Sequence, residues 1–346
     1  MLGQYTLANL TISPNLVLAP MSGVTTRPFR RLIRRYNPGS VGLVVTEFIS
    51  VEAMTRKVAR SLEMMRYNED ERPVAIQIFG YDIERMSDAA KMVEQSGADV
   101  LDINCGCPAP KVVRKGGGCE LMRQPEHLTK IVRSVRKAIK IPLTLKMRSG
   151  WDQGSRNALE VARIAEGEGV QALAVHGRTR AQMYRGEADW QLIYEVARSV
   201  NIPVLGSGDV VCSKSAHARM YYNGLAEDPE YKSALGGLMI GRGALENPLV
   251  FSEIAAGTKM NLRSDPGLVL EILRSYCDLL AQDFPPKVCI GKVKQLASQM
   301  CRGHDWRKEF LRLESFAQQL EFLRKLENSD LRLQLAGEIS TPCTQL

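Results

Sequence analysis

Cys107, lodged between Gly106 and Pro108 just past the apolar run Val100–Ile103, is a thiol presented in a tight loop. A thiol of ordinary pKa, about 8.5, is mostly protonated at neutral pH, so it suits a proton donor better than a nucleophile. A lone cysteine is often only a small buried filler, but several other polar groups interrupt apolar runs in the same way. Gln77 sits within Val74–Phe79 and Lys146 within Leu143–Arg148, while His176 ends an apolar run and is followed by Gly177, Arg178, Thr179 and Arg180. An embedded amide needs hydrogen-bond partners, and an embedded cation is costly to desolvate unless negative charge meets it. A structural histidine would explain His176 alone; the arginines beside it favour a loop that handles an anion.

Two glycine turns, Gly206-Ser207-Gly208-Asp209 and Ile240-Gly241-Arg242-Gly243, can bring backbone N–H groups close to a phosphate. Ala19-Pro20-Met21-Ser22-Gly23 gives an apolar lip suited to one face of a flat ring. A phosphate grip, a ring platform, an amide, a lysine and a thiol fit FMN better than a nicotinamide, because no Gly-x-Gly-x-x-Gly follows the first strand. The expected cofactor set is Pro20, Met21, Gln77, Lys146, His176, Ser207, Gly208, Asp209, Gly241 and Arg242, with an anionic reduced isoalloxazine as the partner of Lys146. No metal is expected: Cys105-x-Cys107 with Cys119 lacks Cys-x-x-Cys spacing, and the chain has only four histidines.

These groups need a scaffold that brings strand ends together. Eight short β-branched runs recur with helical patterns between them, the rhythm of a (β/α)8 TIM barrel. They are Leu16–Pro20, Leu43–Phe48, Val74–Phe79, Val100–Cys105, Leu143–Arg148, Ala172–Gly177, Val204–Gly208 and Gly237–Arg242. Ile83–Ser96, His127–Ile139, Asn157–Gly167 and Trp190–Val200 repeat apolar residues at three and four, as helices outside a barrel do. A doubly wound open sheet is the alternative, and the missing dinucleotide fingerprint weighs against it. In a barrel the polar strand ends line the mouth, and loops seven and eight are where phosphate sites form.

Beyond the polar linker Gly257–Gly267 the pattern is helical alone: Gly267–Phe284, Lys287–Arg302 and Asp305–Asn328 predict a small C-terminal all-α helical bundle. The expected domains are a barrel over 1–256 and a helical domain over 267–346. From Lys287 to Arg312 the basic residues Lys287, Lys292, Lys294, Arg302, Arg307, Lys308 and Arg312 outnumber Asp305 and Glu309. This face is either an ordinary solvated surface or a contact for a polyanion. The net charge of +8 and pI of about 9.1 favour an anionic macromolecular partner. Eight scattered cysteines indicate no disulfide framework, and no signal segment or membrane-length apolar run is present. The expectation is a cytoplasmic monomer.

Leu18-Ala19-Pro20-Met21-Ser22-Gly23-Val24-Thr25, Asn104-Cys105-Gly106-Cys107-Pro108, Lys146-Met147-Arg148, His176-Gly177-Arg178-Thr179-Arg180 and Met239-Ile240-Gly241-Arg242 resemble the tRNA-dihydrouridine synthases, most closely the bacterial B-type subgroup. The resemblance spans residues 15 to 250 in order and spacing. It implies an FMN barrel with a helical domain that holds tRNA, NADPH as reductant, and a tRNA uridine as substrate. It implies that Cys107 is catalytic and Asn104 lies beside the uracil, while Gln77, Lys146 and His176 meet the flavin ring and Gly208, Asp209, Gly241 and Arg242 the phosphate. Arg178, Lys111 and Arg114 complete the expected substrate contacts. Ser207 stands where the family usually has Asn, and Met220–Leu235 reads as a surface insertion. Reduction at C5–C6 of uracil needs a hydride at one carbon and a proton at the other; flavin N5 is expected to serve C6, and Cys107 C5. The rival readings are an FMN barrel acting on a free pyrimidine and a non-catalytic RNA-binding barrel.

Overall fold

The computed structural model describes residues 2–220, 235–259 and 262–328. Cys343, nearly all of the Met220–Leu235 insertion and the chain after Asn328 lie outside the described residues. The chain opens with a short antiparallel hairpin, β1 (Tyr5–Leu7) and β2 (Leu10–Ile12). Then come β3 (Leu16–Leu18), β4 (Leu43–Val45), a two-residue β5 (Ile49–Ser50), β6 (Val74–Phe79), β7 (Val100–Cys105), β8 (Leu143–Arg148), β9 (Ala172–His176), β10 (Val204–Ser207) and β11 (Gly237–Ile240). The parallel pairings of β3, β4 and β6 through β11 run in a ring and return from β11 to β3, so the barrel is closed. Helices such as Ile83–Gln95, Pro125–Ala138, Ala158–Gly167 and Trp190–Arg198 stand between consecutive strands, as the three-and-four spacing predicts. No described helix is long and apolar enough to cross a membrane.

Several strands stop short of their predicted ends. β3 ends at Leu18: Ala19 N still donates to Ile240 O at 2.8 Å, but Pro20 has no N–H to continue the ladder. The hairpin was not legible in the sequence, since its strands are only three residues long. Tyr5, Leu7 and Ile12 nevertheless belong to one buried cluster with Val17, Leu43, Ala75, Val100, Ala172 and Leu205. With side chains alternating along each strand, this cluster fills the lower barrel, and the next inward positions are Gln77, Asp102, Asn104, Lys146, Arg148 and His176. The inner face thus changes from apolar to polar towards the C-terminal strand ends. That gradient places the chemistry at the mouth.

The contacts divide the chain into two compact units, Met1–Ala244 with Leu249–Lys259, and Leu245–Pro248 with Met260–Leu346. The second unit contains helices Pro266–Asp283, Pro286–Met300, Arg307–Arg312 and Phe316–Asn328. Their buried stripe includes Leu273, Cys277, Leu280, Val293, Leu296, Phe310 and Leu323. The sequence predicted one helix over Asp305–Asn328, and the structure breaks it at Leu313, where ψ of 137° leaves the helical region. Ser315 then starts the next helix: its Oγ accepts from Gln318 N at 3.1 Å while Gln318 Oε1 accepts from Ser315 N at 3.0 Å, a reciprocal cap.

Candidate active site

Cys107 follows β7 in a loop fixed from both sides. Asn104 Oδ1 accepts the N–H of Cys107 at 2.8 Å and of Gly106 at 3.1 Å, and Cys119 N donates to Cys107 O at 3.1 Å. Gly118 permits the second contact: it has φ of +60°, and a Cβ there would lie 2.5 Å from Cys107 O. Arg148 Nε donates to Gly106 O at 3.0 Å, so a strand-end guanidinium also grips the loop. Burial pushes the Cys107 thiol up, with the Ala109 N–H, Arg148 and Lys146 pulling the other way. It is therefore a protonated thiol at neutral pH, the state a general acid requires.

Register brings the remaining groups beside it: Asn104 pairs with Lys146 across β7 and β8, Arg148 with His176 across β8 and β9, and His176 with Ser207 across β9 and β10. The Lys146 ammonium makes no hydrogen bond or ion pair among the described residues, and burial together with Arg148 lowers it to about 8. His176 is buried and pushed well below its ordinary range by desolvation and then by Lys146, Arg148, Arg178 and Arg242. It is a neutral imidazole. Arg178 Nη1 faces its Nε2 at 3.4 Å, and a guanidinium only donates, so the ring proton is assigned to Nδ1. Four cations bear on one small volume, which favours an anionic ligand.

Arg178 was expected at the substrate. The structure buries it against Asp209, with Nη2 2.8 Å from Asp209 Oδ1 and further bonds to the carbonyls of Arg185 and Gly186. Asp209 also meets Arg242 at 3.4 Å and accepts Ala188 N at 2.8 Å. Its carboxylate thus holds two arginines, and only its backbone is available to a phosphate. Gly208 has φ of +123°, and a Cβ there would lie 3.0 Å from His176 Cδ2. The N–H groups of Gly208, Asp209 and Gly241 find no acceptor among the described residues. Gly241 lies against the first-strand lip, its Cβ position 3.5 Å from Met21 Sδ, with Pro20 and Met21 both half-buried. Ser207 is buried at the end of β10.

These residues fit FMN: three unsatisfied N–H groups in two glycine turns suit its phosphate, and an unpaired lysine suits the electron-rich edge of its ring. The fit for Gln77 and Asn104 differs from the expectation. Gln77 Nε2 donates to Asp102 at 2.6 Å and its Oε1 accepts from Asn104 Nδ2 at 2.8 Å, so each amide has already committed one donor and its oxygen to protein. Lys111 and Arg114 are exposed on and just after the short helix Pro110–Val113 that follows Cys107.

Two residues were not assigned from sequence. Arg148 is 2% exposed and bonds the carbonyls of Thr179 and Met183 at 2.8 and 2.7 Å, tying the loop after β9 to β8. Tyr184 in that loop is 56% exposed, with the guanidinium of Arg242 4.8 Å and that of Arg148 5.6 Å from its ring. In the second unit the basic face is narrower than predicted. Arg307 is half-buried and bonds Ser298 O at 2.8 Å, and Lys292 sits over the Phe284 ring at 5.0 Å, whereas Lys287, Arg302, Lys308 and Arg312 are exposed.

Comparison with known proteins identifies the family. A family model described as dihydrouridine synthase (Dus) matches residues 17–333. A protein of Pseudomonas putida named tRNA-dihydrouridine synthase B is 42% identical over 73% of this chain and 70% of its own length. One of Vibrio cholerae with the same name is 36% identical over 93% of this chain and 97% of its own. Among solved structures, morphinone reductase is 13% identical at a TM-score of 0.48, over 76% of this chain and 91% of that one. With nearly the whole chain matched, and with relatives of this identity along most of its length, the protein belongs to the dihydrouridine synthase family, in its bacterial B-type group.

Proposed function

We propose that this protein reduces uridines in tRNA to 5,6-dihydrouridine, holding FMN in the barrel mouth, drawing on NADPH, and using Cys107 to protonate C5. The observation that carries this reading is a protonated thiol whose loop is locked to the strand ends that also present an unpaired Lys146 and two open glycine turns. The names of the relatives supply the substrate class. FMN, when bound, supplies the hydride for C6. The side chains of this chain do the rest. Lys146 stabilises negative charge at the ring edge, and neutral His176 can donate from Nδ1. Cys107 gives its proton as enolate character develops next to C5. The target base must leave its stack, at a cost of about a few kcal/mol for a loop nucleotide. The exposed cations Lys111, Arg114 and Lys115 after Cys107 suit the neighbouring phosphates, and Lys287, Arg302, Lys308 and Arg312 suit phosphates elsewhere on the RNA.

The cofactor assignment is tested by denaturing the purified, flavin-reconstituted protein and identifying the released ligand. FMN is the expected result. Recovery of FAD, or of no flavin from a folded sample, contradicts the reading of the two glycine turns.

A further inference from the structure

Asp102 lies deep in β7, 3% exposed, and takes no part in the reaction as described above. Both of its oxygens are held: Thr144 Oγ1 donates to Oδ1 at 2.5 Å, and Gln77 Nε2 donates to Oδ2 at 2.6 Å. Gln77 Oε1 then accepts Asn104 Nδ2 at 2.8 Å, and Asn104 Oδ1 accepts the N–H groups of Gly106 and Cys107 at 3.1 and 2.8 Å. The chain of bonds starts at a group that, ionised, only accepts, and it ends at two groups that only donate. Between those ends each amide has a single orientation that satisfies both neighbours. Turning Gln77 sets oxygen against carboxylate; turning Asn104 sets NH2 against two backbone N–H groups.

We propose that Asp102 is a positioning residue for Cys107, fixing the direction of the hydrogen-bond chain through Gln77 and Asn104 and thereby the loop that carries the thiol. The inference rests on the assignment of Cys107 as the acid. Without an acceptor-only anchor both amides can reverse together, and the reversed chain leaves the N–H groups of Gly106 and Cys107 without an acceptor. Burial pushes the Asp102 carboxyl upward, and the bonds from Thr144 and Gln77 and the charge of Lys146 oppose that shift without cancelling it. The 2.5 Å contact from the Thr144 hydroxyl has the length of an O–H donating to a charged oxygen.

Asp102→Asn keeps the size of the side chain and removes the one-way character of the anchor. The double substitution Asp102→Asn with Gln77→Glu moves the carboxylate one link along, where it accepts from the amides at positions 102 and 104 and restores the direction. Amide hydrogen exchange of the flavin-loaded protein reads the effect in a peptide covering the loop after Asn104, with a peptide from β8 as reference. Asp102→Asn is expected to speed exchange of the Gly106 and Cys107 amides about tenfold, with the reference unchanged and the double substitution reversing most of the gain. Uridine reduction measured alongside should lose kcat while KM for tRNA stays within about twofold. Gln77→Leu cuts the chain at its middle and should give the same local acceleration, so it serves if Asp102→Asn yields no folded protein.

Unchanged exchange in the loop of both single variants, or a double substitution no better than Asp102→Asn, overturns the proposal. Cys107→Ala with normal turnover, in a protein whose loop exchange still responds to Asp102, leaves the positioning intact and removes only the acid assignment.

Discussion

Cys107→Ala should keep its flavin, and the reduction of that flavin by NADPH, while losing about 10²- to 10⁴-fold in uridine reduction, the range a general acid contributes. The thiol is asked for one proton only. Burial keeps it protonated against the opposing pull of the Ala109 N–H, Arg148 and Lys146, and Cys119 beside it is likewise pushed up, to about 12, by burial. The measurement is single-turnover oxidation of the reduced protein by tRNA, compared with its rate of reduction by NADPH. A variant that turns over tRNA at the wild-type rate would exclude Cys107 as the acid and direct attention to Cys105, which is fully buried.

Glu71→Ala should destabilise the barrel by about 3–5 kcal/mol, because it strands a buried guanidinium. Arg30 Nε lies 2.6 Å from Glu71 Oε2, and the two side chains are 2% and 0% exposed. Glu71 Oε1 also accepts Asn68 N at 2.7 Å, and Arg30 donates to the carbonyls of Thr25 and Arg66, each at 2.9 Å. This pair therefore joins the helix Arg27–Tyr36 to the lip that carries Met21 and to the turn before β6. Desolvation opposes both charges, pushing the Glu71 carboxyl up and the Arg30 guanidinium down. Removing both charges together, as Arg30→Met with Glu71→Leu, should accordingly cost far less than Glu71→Ala alone. Urea unfolding of the flavin-free protein measures both. A Glu71→Ala loss below about 1 kcal/mol would mean that water reaches the guanidinium and that the pair is not sealed.

The barrel was legible because its strands are short, β-branched apolar runs recurring between helices with a different period. Gln77 and Lys146 were legible for a related reason: a polar side chain stands out within such a run. What Gln77 does was not. Its neighbours along the chain are apolar, and only the register of β6 on β7 places Asp102 and Asn104 against it. Arg148 and Tyr184 escaped assignment because their contacts depend on a loop folding back over a strand end, which no periodicity records. Arg178 was read from sequence as part of an anion-handling loop and as a substrate contact, and sequence could not show that Asp209, on the next loop, pairs with it. The break in the last helical stretch had a readable signal: Ser315-x-x-Gln318 is a capping pattern, and it lay inside what the three-and-four spacing presented as one helix.

The most direct test of the central claim is mass spectrometry of RNA from cells lacking this protein, with the wild-type chain or Cys107→Ala returned. Dihydrouridine is expected to vanish from one or more tRNA positions, to return with the wild-type chain, and to stay absent with Cys107→Ala. Unaltered tRNA dihydrouridine in the deletion, or a loss confined to ribosomal RNA, would contradict the assignment of tRNA uridine as the substrate.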